Sequence, residues 1–175
     1  MSLKDMPVIP LRGLTVFPNM VMSFPIGRKL SLDAVDEAQG KDERIFLIPQ
    51  TDSEESEPDL NSLSSVGTIC KIKQVLKLPA NVTHVIVEGL NRAYVENLNM
   101  DSGYFKADAD IIDDGLPGDF EDDLNAQALM RLANEEFEKY NRLNASAPNS
   151  EAMLTLVSAK TPGQTADAIS AGLNI

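Results

Sequence analysis

The sequence holds little from which covalent or catalytic chemistry could be built: one cysteine and one histidine in 175 residues. The lone Cys70 cannot form an internal disulfide, and no apolar run of signal-peptide length precedes the Pro7 to Pro10 segment. A reducing, cytosolic setting is therefore the default expectation. Long hydrophobic runs are also lacking. Stretches such as Ile45 to Ile48 are about one strand long, far short of the ~20 residues that span a bilayer. Basic residues are scarce, with Lys+Arg 15 against Asp+Glu 27 for a net charge of −12. Nucleic acids and anionic membranes are held mainly by Lys and Arg, so neither is expected as a partner.

What is present suffices for a folded chain, since 43% of residues are apolar. The acid excess is uneven. Residues 1–50 carry six acids and six bases and residues 61–100 two acids and four bases, whereas 51–60 contribute −5 and 101–139 contribute −9. Residues 1–112 read as a β-rich subdomain of six or seven short strands. Pro7 and Pro10 predict an irregular edge strand through Val8, Ile9 and Leu11, with Met1-Ser2-Leu3 set aside as an extraneous leader. Phe17-Pro18-Asn19 turns into a strand over Met20 to Phe24. Leu30, Ala34, Val35 and Ala38 predict a helix over 28–39 stopped at Gly40, and Arg44 to Ile48 a strand buried on both faces. Thr51 to Ser65 reads as a solvated loop. Strands follow over 66–78, 82–87, 92–98 and 104–112, the first two joined by a hairpin loop of about three residues.

Composition changes over 113–118, which is expected to be a linker, and the period then lengthens to about 3.6 over 119–175. The first helix, 119–143, places Phe120, Leu124, Leu129, Met130, Ala133, Phe137 and Tyr140 on one stripe. The second, from Ser150 to about Ala159, is expected to bury Met153, Leu156 and Val157. The third opens on Thr161-Pro162-Gly163-Gln164, a capping box with proline at the first helical position, and carries Ala166, Ile169 and Leu173. These helices read as an incomplete bundle. The fold class is therefore α+β: a small barrel or packed-sheet subdomain with one helix, then a helical subdomain.

No catalytic set emerges. Gly40-Lys41 is followed by Asp42 and lacks the upstream glycine of a phosphate-binding loop. His84 lies mid-strand without a nucleophile or orienting acid in evidence. Cys70 alternates with Ile72 and Leu76, which marks a buried, inert thiol. Asp119, Glu121, Asp122 and Asp123 lack the spacing and internal glycine of a calcium loop. Ser158 and Lys160 are two residues apart on a helix end and point in different directions. No metal or cofactor is expected. A binding signal remains in Phe17, Met20, Met22 and Phe24, because methionine-rich surfaces adapt to varied apolar partners. Core positions are the alternative for each of these four.

Several ordered blocks resemble the N-terminal domain of the ATP-dependent protease Lon. They are Pro7-Val8-Ile9-Pro10-Leu11-Arg12, Val16-Phe17-Pro18-Asn19-Met20 with Gly27-Arg28, Val66-Gly67-Thr68, Lys77-Leu78-Pro79, Val87-Glu88-Gly89-Leu90-Asn91-Arg92-Ala93 and, more weakly, Pro162-Gly163-Gln164-Thr165-Ala166-Asp167. The resemblance implies a barrel related to PUA-type folds followed by helices. It also implies a bacterial, cytoplasmic role in recognising unfolded or damaged polypeptides and supporting hexamer assembly. In that family ATP, magnesium and the Ser-Lys dyad belong to ATPase and protease modules absent here, so no catalytic residue carries over. Expected substrate contacts are Phe17, Met20, Met22, Phe24, Leu78 and Leu90, with Arg28 and Lys29 as polar or subunit contacts. The alternatives are a stand-alone adaptor of the same domain family and an independent small-molecule enzyme, which lacks a plausible acid, base or nucleophile. The acidic segments are expected to confer solubility, leaving the near-neutral barrel to meet polypeptide.

Overall fold

The computed structural model describes residues 1–79, 82–112, 123–143 and 150–173. The chain divides into two compact units, Met1–Ile112 and Asp113–Ile175. The expected linker at 113–118 and Phe120 lie outside the described residues.

In the first unit, strands β1 (Ser2–Leu11), β2 (Val21–Ile26), β3 (Arg44–Pro49), β4 (Val66–Leu78), β5 (Val82–Asn99) and β6 (Lys106–Ile111) form one sheet, with helix α1 (Lys29–Gln39) between β2 and β3. The order is β2-β5-β4-β3-β1-β6, and β5 also pairs with β6. That last pairing closes β5, β4, β3, β1 and β6 into a ring. Strand β5 can do this because of its length. One side pairs with β4 throughout, while the other pairs with β2 over Thr83 to Glu88 and with β6 over Ala93 to Asn99. Strand β2 is left as the one partnered on a single side.

Two apolar clusters follow from strand alternation. Met6, Val8, Phe46, Ile48, Ile69, Ala93, Phe105, Ala107 and Ala109 fill the ring. Ile9, Leu11, Ile45, Leu47, Cys70, Ile72, Val85 and Val87 face the other way, against α1 and β2. Burial of Ile45 to Ile48 on both faces of β3 is thereby explained, and each fully buried large side chain contributes about 1.5–3 kcal/mol. Helix α1 starts after Arg28 and stops at Gly40, burying Ser31, Ala34, Val35 and Ala38.

Three expectations for this unit need correction. Strand β1 is not an edge, since it pairs with β3 in parallel and β6 antiparallel. Its prolines are tolerated where ladders end. Pro7 precedes the first β3 partner at Val8, and Pro10 lies beyond the last β6 partner at Pro7, its carbonyl taken by Arg28 at 2.7 Å. Ser2 and Leu3 take part in the ladder, paired with Asp110 and Ala109. The strands expected over 82–87 and 92–98 are one strand, because Gly89 and Asn91 stay paired to Cys70 and Ile69 across a bulge. The 51–65 segment is tied down rather than merely solvated, since Leu63 is buried and Arg12 and Arg28 bond its carbonyls. The β4–β5 ladder runs to Leu78 and Val82, leaving the expected three residues between.

The second unit holds α2 (Leu124–Leu143), α3 (Ser150–Ser158) and α4 (Pro162–Gly172). Phe137, Leu156 and Ala168 form its core, with Tyr140, Met153, Ile169 and Leu173 packed alongside. The Asp123 carboxylate caps α2 by accepting from the amides of Asn125 and Ala126. At α4 the hydroxyl of Thr161 accepts from the Gln164 amide at 3.2 Å, and Gln164 Oε1 accepts from the Lys160 amide at 2.8 Å. The return bond of the predicted capping box thus lands one residue earlier than expected. The predicted stripe on α2 is not buried as a whole, since Leu124 and Leu129 are exposed. Val157 and Ala166 are exposed as well.

Candidate functional site

The turn from Phe17 to Met20 is sewn to β5 through Gly89. The Asn19 amide donates to the Gly89 carbonyl at 2.9 Å, and the Gly89 amide donates to the Met20 carbonyl at 2.8 Å. Backbone approaches so closely that a Cβ at Gly89 would lie 2.1 Å from the Phe17 carbonyl oxygen. Phe17 and Met20 are half-buried there. From this turn β2 runs along β5, and its side chains separate by parity. Met22 packs against the core and Phe24 lies within it at 6% exposure, so the sequence-predicted patch is not one surface.

The opposite parity gives a different surface. Val21, Ser23 and Pro25 of β2 stand beside Glu88, Ile86 and His84 of β5. Gln74, Leu76 and Leu78 of β4 stand beside Ile86, His84 and Val82. Residues directly opposite on one face have Cβ atoms ~4.5–5.5 Å apart, so Leu78 and Val82 form an apolar pair, and Val21, Pro25, Leu76 and Ile86 share the outer face of this three-stranded wing with Ser23, Gln74, His84 and Glu88. Val21, Leu78 and Val82 are 49%, 46% and 38% exposed. Leu90, half-buried, continues the face toward the Phe17 turn, and Lys73 pairs with Glu88 at 2.7 Å at its rim. Of the predicted contacts, Leu78 and Leu90 belong to this face. Val21, Pro25, Leu76, Val82 and Ile86 were missed, because β5 is apolar on both faces and its alternation does not say which one is covered.

Arg28 and Lys29 have different roles. Lys29 is exposed and pairs with Asp33 one turn along α1. Arg28 is a clamp, donating to the Pro10 carbonyl at 2.7 Å, Gln50 Oε1 at 3.1 Å and the Ser56 carbonyl at 3.5 Å. Burial, and then the like charge of Arg12, hold its guanidinium below the usual range. Arg12 bonds the carbonyls of Ser53 and Glu54 in the same loop.

The remaining chemical candidates are inert in this arrangement. Burial pushes the Cys70 thiol up to about 12, so it carries almost no thiolate at neutral pH. His84 stands on the wing between Pro25 and Leu76. The Ser158 hydroxyl donates to the Thr155 carbonyl at 2.8 Å, within its own helix. Asp119, Glu121 and Asp122 lie outside the described residues. Among the described residues no three His, Cys, Asp or Glu side chains converge on a metal position, and no helix is long and apolar enough to cross a membrane.

Among the described residues the first unit is thus a small closed barrel with an exposed three-stranded wing. Residues 5–175 match the family model of the ATP-dependent protease La (LON) substrate-binding domain, and the chain belongs to that family. It is 39% identical over 172 residues to a Lon protease of Clostridium acetobutylicum, covering 98% of this chain and 22% of that protein. It is 35% identical over 167 residues to the Lon protease of Escherichia coli strain K12, covering 95% of this chain and 21% of that protein. The chain thus spans about a fifth of the length of these relatives. In fold it is similar to the N-terminal domain of the Mycobacterium avium complex Lon protease, with a TM-score of 0.69 at 21% identity, covering 94% of this chain and 80% of that one. A Lon N-terminal domain protein from Xanthomonas campestris matches with a TM-score of 0.51 at 16% identity, covering 97% and 98%.

Proposed function

We propose that this chain is the substrate-contacting N-terminal region of a longer, bacterial, cytoplasmic ATP-dependent serine protease of the Lon type. In this reading it captures exposed apolar segments of unfolded or damaged polypeptides and supports assembly of a hexamer. ATP, magnesium and peptide-bond hydrolysis belong to other modules of that protein, and this chain supplies none of them. The observation that carries the reading is the match over residues 5–175 to a family defined by substrate binding. The wing supplies a suitable surface. Unfolded polypeptide presents apolar side chains in no fixed sequence, and aliphatic residues on a rigid sheet accept many of them without a shape-specific pocket. Leu90 adjoins that surface, Phe17 and Met20 stand half-buried in the turn before β2, and Met22 and Phe24 support the wing from the core side.

The test is the double variant L78S/V82S, with both changes on the exposed face. Binding to a reduced, permanently unfolded model protein, followed by fluorescence anisotropy, is expected to weaken about tenfold as buried apolar area is lost. The thermal midpoint should move by no more than a surface substitution allows, about 0.5 kcal/mol in stability. Unchanged binding by a folded double variant would remove the wing from the reading.

A further inference from the structure

Beside the wing, β1, β2 and the start of α1 enclose a pocket of about 330 Å³, at the small end of the ~300–1,000 Å³ range of ligand sites. Its walls are apolar on one side, with Ile9, Leu11, Leu14, Phe24 and Ile26, and Arg12, Arg28 and Ser31 line it as well. Arg12 is close enough for its charge to disfavour that of Arg28. Neither is within ion-pair distance of a carboxylate among the described residues, although the adjoining loop carries five acids. Arg28 donates instead to the Pro10 and Ser56 carbonyls and to Gln50 Oε1, and Arg12 to the Ser53 and Glu54 carbonyls, which leaves part of each five-donor fork unused. Ser31, only 2% exposed, lines the same hollow from the start of α1. Two guanidiniums that meet no carboxylate among the described residues, beside the Ser31 hydroxyl and an apolar wall, match the chemistry of a carboxylate that carries an apolar side chain.

We propose that this pocket binds the free C-terminus of a polypeptide, with the main-chain carboxylate between Arg12, Arg28 and Ser31 and the last side chain, an apolar one, against Ile9, Leu14 and Phe24. The size admits one or two residues, so a chain end fits where a chain passing through does not. This rests on the reading that the chain's ligands are polypeptides, and it adds a second contact that reads how the polypeptide ends. Phosphate would satisfy the guanidiniums equally but would leave the apolar wall unused.

The experiment uses the 175-residue chain and three fluorescent peptides of one sequence: one ending in leucine with a free carboxylate, one with the same leucine amidated, and one amidated with glutamate in place of that leucine. The free-acid leucine peptide is expected to bind about tenfold more tightly than its amide, and the preference should vanish in R12Q and fall severalfold in S31A. S31A removes only one hydroxyl, and affinity lost at an unchanged urea midpoint then reports the ligand rather than the fold. R28K, which keeps the charge but not the planar fork, should also lose preference while preserving most of the clamp. Equal affinity for acid and amide would overturn the proposal, as would an R12Q protein that keeps the preference. If the amidated glutamate peptide matches the free-acid leucine peptide, the pocket reads carboxylates of any origin and the C-terminal assignment is wrong. Normal binding of unfolded protein beside equal acid and amide affinities would sink the pocket alone, whereas loss of both would sink the polypeptide reading itself.

Discussion

At the scale of single residues, two positions show how closely packing and charge constrain this chain. At Gly89 any side chain meets backbone rather than a movable side chain, with the Phe17 carbonyl oxygen only 2.1 Å from a notional Cβ. Relieving that clash means pushing the Phe17 turn off β5 and breaking two backbone hydrogen bonds. Gly89→Ala is therefore expected to cost about 3 kcal/mol, the upper part of the overpacking range, whereas Gly27→Ala, with nothing within 4 Å, should stay within about 0.5 kcal/mol. Urea unfolding of the two variants side by side checks both. Asp108 makes an electrostatic case. Its carboxylate accepts from Lys4 Nζ at 2.8 Å, Asn97 Nδ2 at 2.8 Å and the Asp5 amide at 3.0 Å. These contacts, Lys4 foremost, lower its pKa from 3.8 to about 2. Because the folded value lies below the unfolded one, the stability this carboxylate adds is complete above about pH 4 and is lost as pH falls toward 2. The difference in urea midpoint between the natural chain and Asp108→Asn should accordingly be largest above pH 4 and shrink between pH 4 and 2. A pH-independent difference would mean that the Asp108 charge is not what the variant removes.

At the scale of elements, what was legible in the sequence is what depends on local order. Helix α1, its Gly40 stop, β3 and the Thr161 cap follow from periodicity and capping chemistry, which act within a few residues. The misread elements depend on partners far away in sequence. The prolines of β1 suggest an edge until the register of β6 shows that Pro10 lies past the end of that ladder. The stretch Gly89-Leu90-Asn91 looks like a break between strands, but β4 holds it in place through a bulge. Helix periodicity located α2 without showing that Leu124, Leu129 and Leu132 would stay exposed and only Phe137 would be fully buried. The same limit governs the site. Phe24 and Leu78 are equally apolar in the sequence, yet strand parity and register put one in the core and the other on the surface. Arg28, by contrast, gave no local sign of being a clamp, because its partners Pro10, Gln50 and Ser56 come from three separate segments.

At the scale of the whole molecule, charge and topology both separate the chain at Ile112. The residues before this point carry 11 bases and 16 acids and those after it 4 and 11, so each part is net negative and each has its own core cluster. Among the described residues every strand pairing lies within residues 1–112, and β6 is tied back to the first residue by the Ile111 amide donating to the Met1 carbonyl at 3.0 Å. A chain ending at Ile112 would thus lose no ladder hydrogen bond, neither apolar cluster of the barrel, and neither the wing nor the pocket. Residues 1–112 alone are expected to unfold cooperatively in urea, with a β-rich circular dichroism spectrum and the same preference for a free-acid over an amidated peptide. In the full chain, Phe137→Ala should cost the second unit about 3–5 kcal/mol and leave the peptide preference untouched. Non-cooperative unfolding of residues 1–112 would show that the ring needs the helices to stay closed, and that binding cannot then be assigned to the barrel by itself.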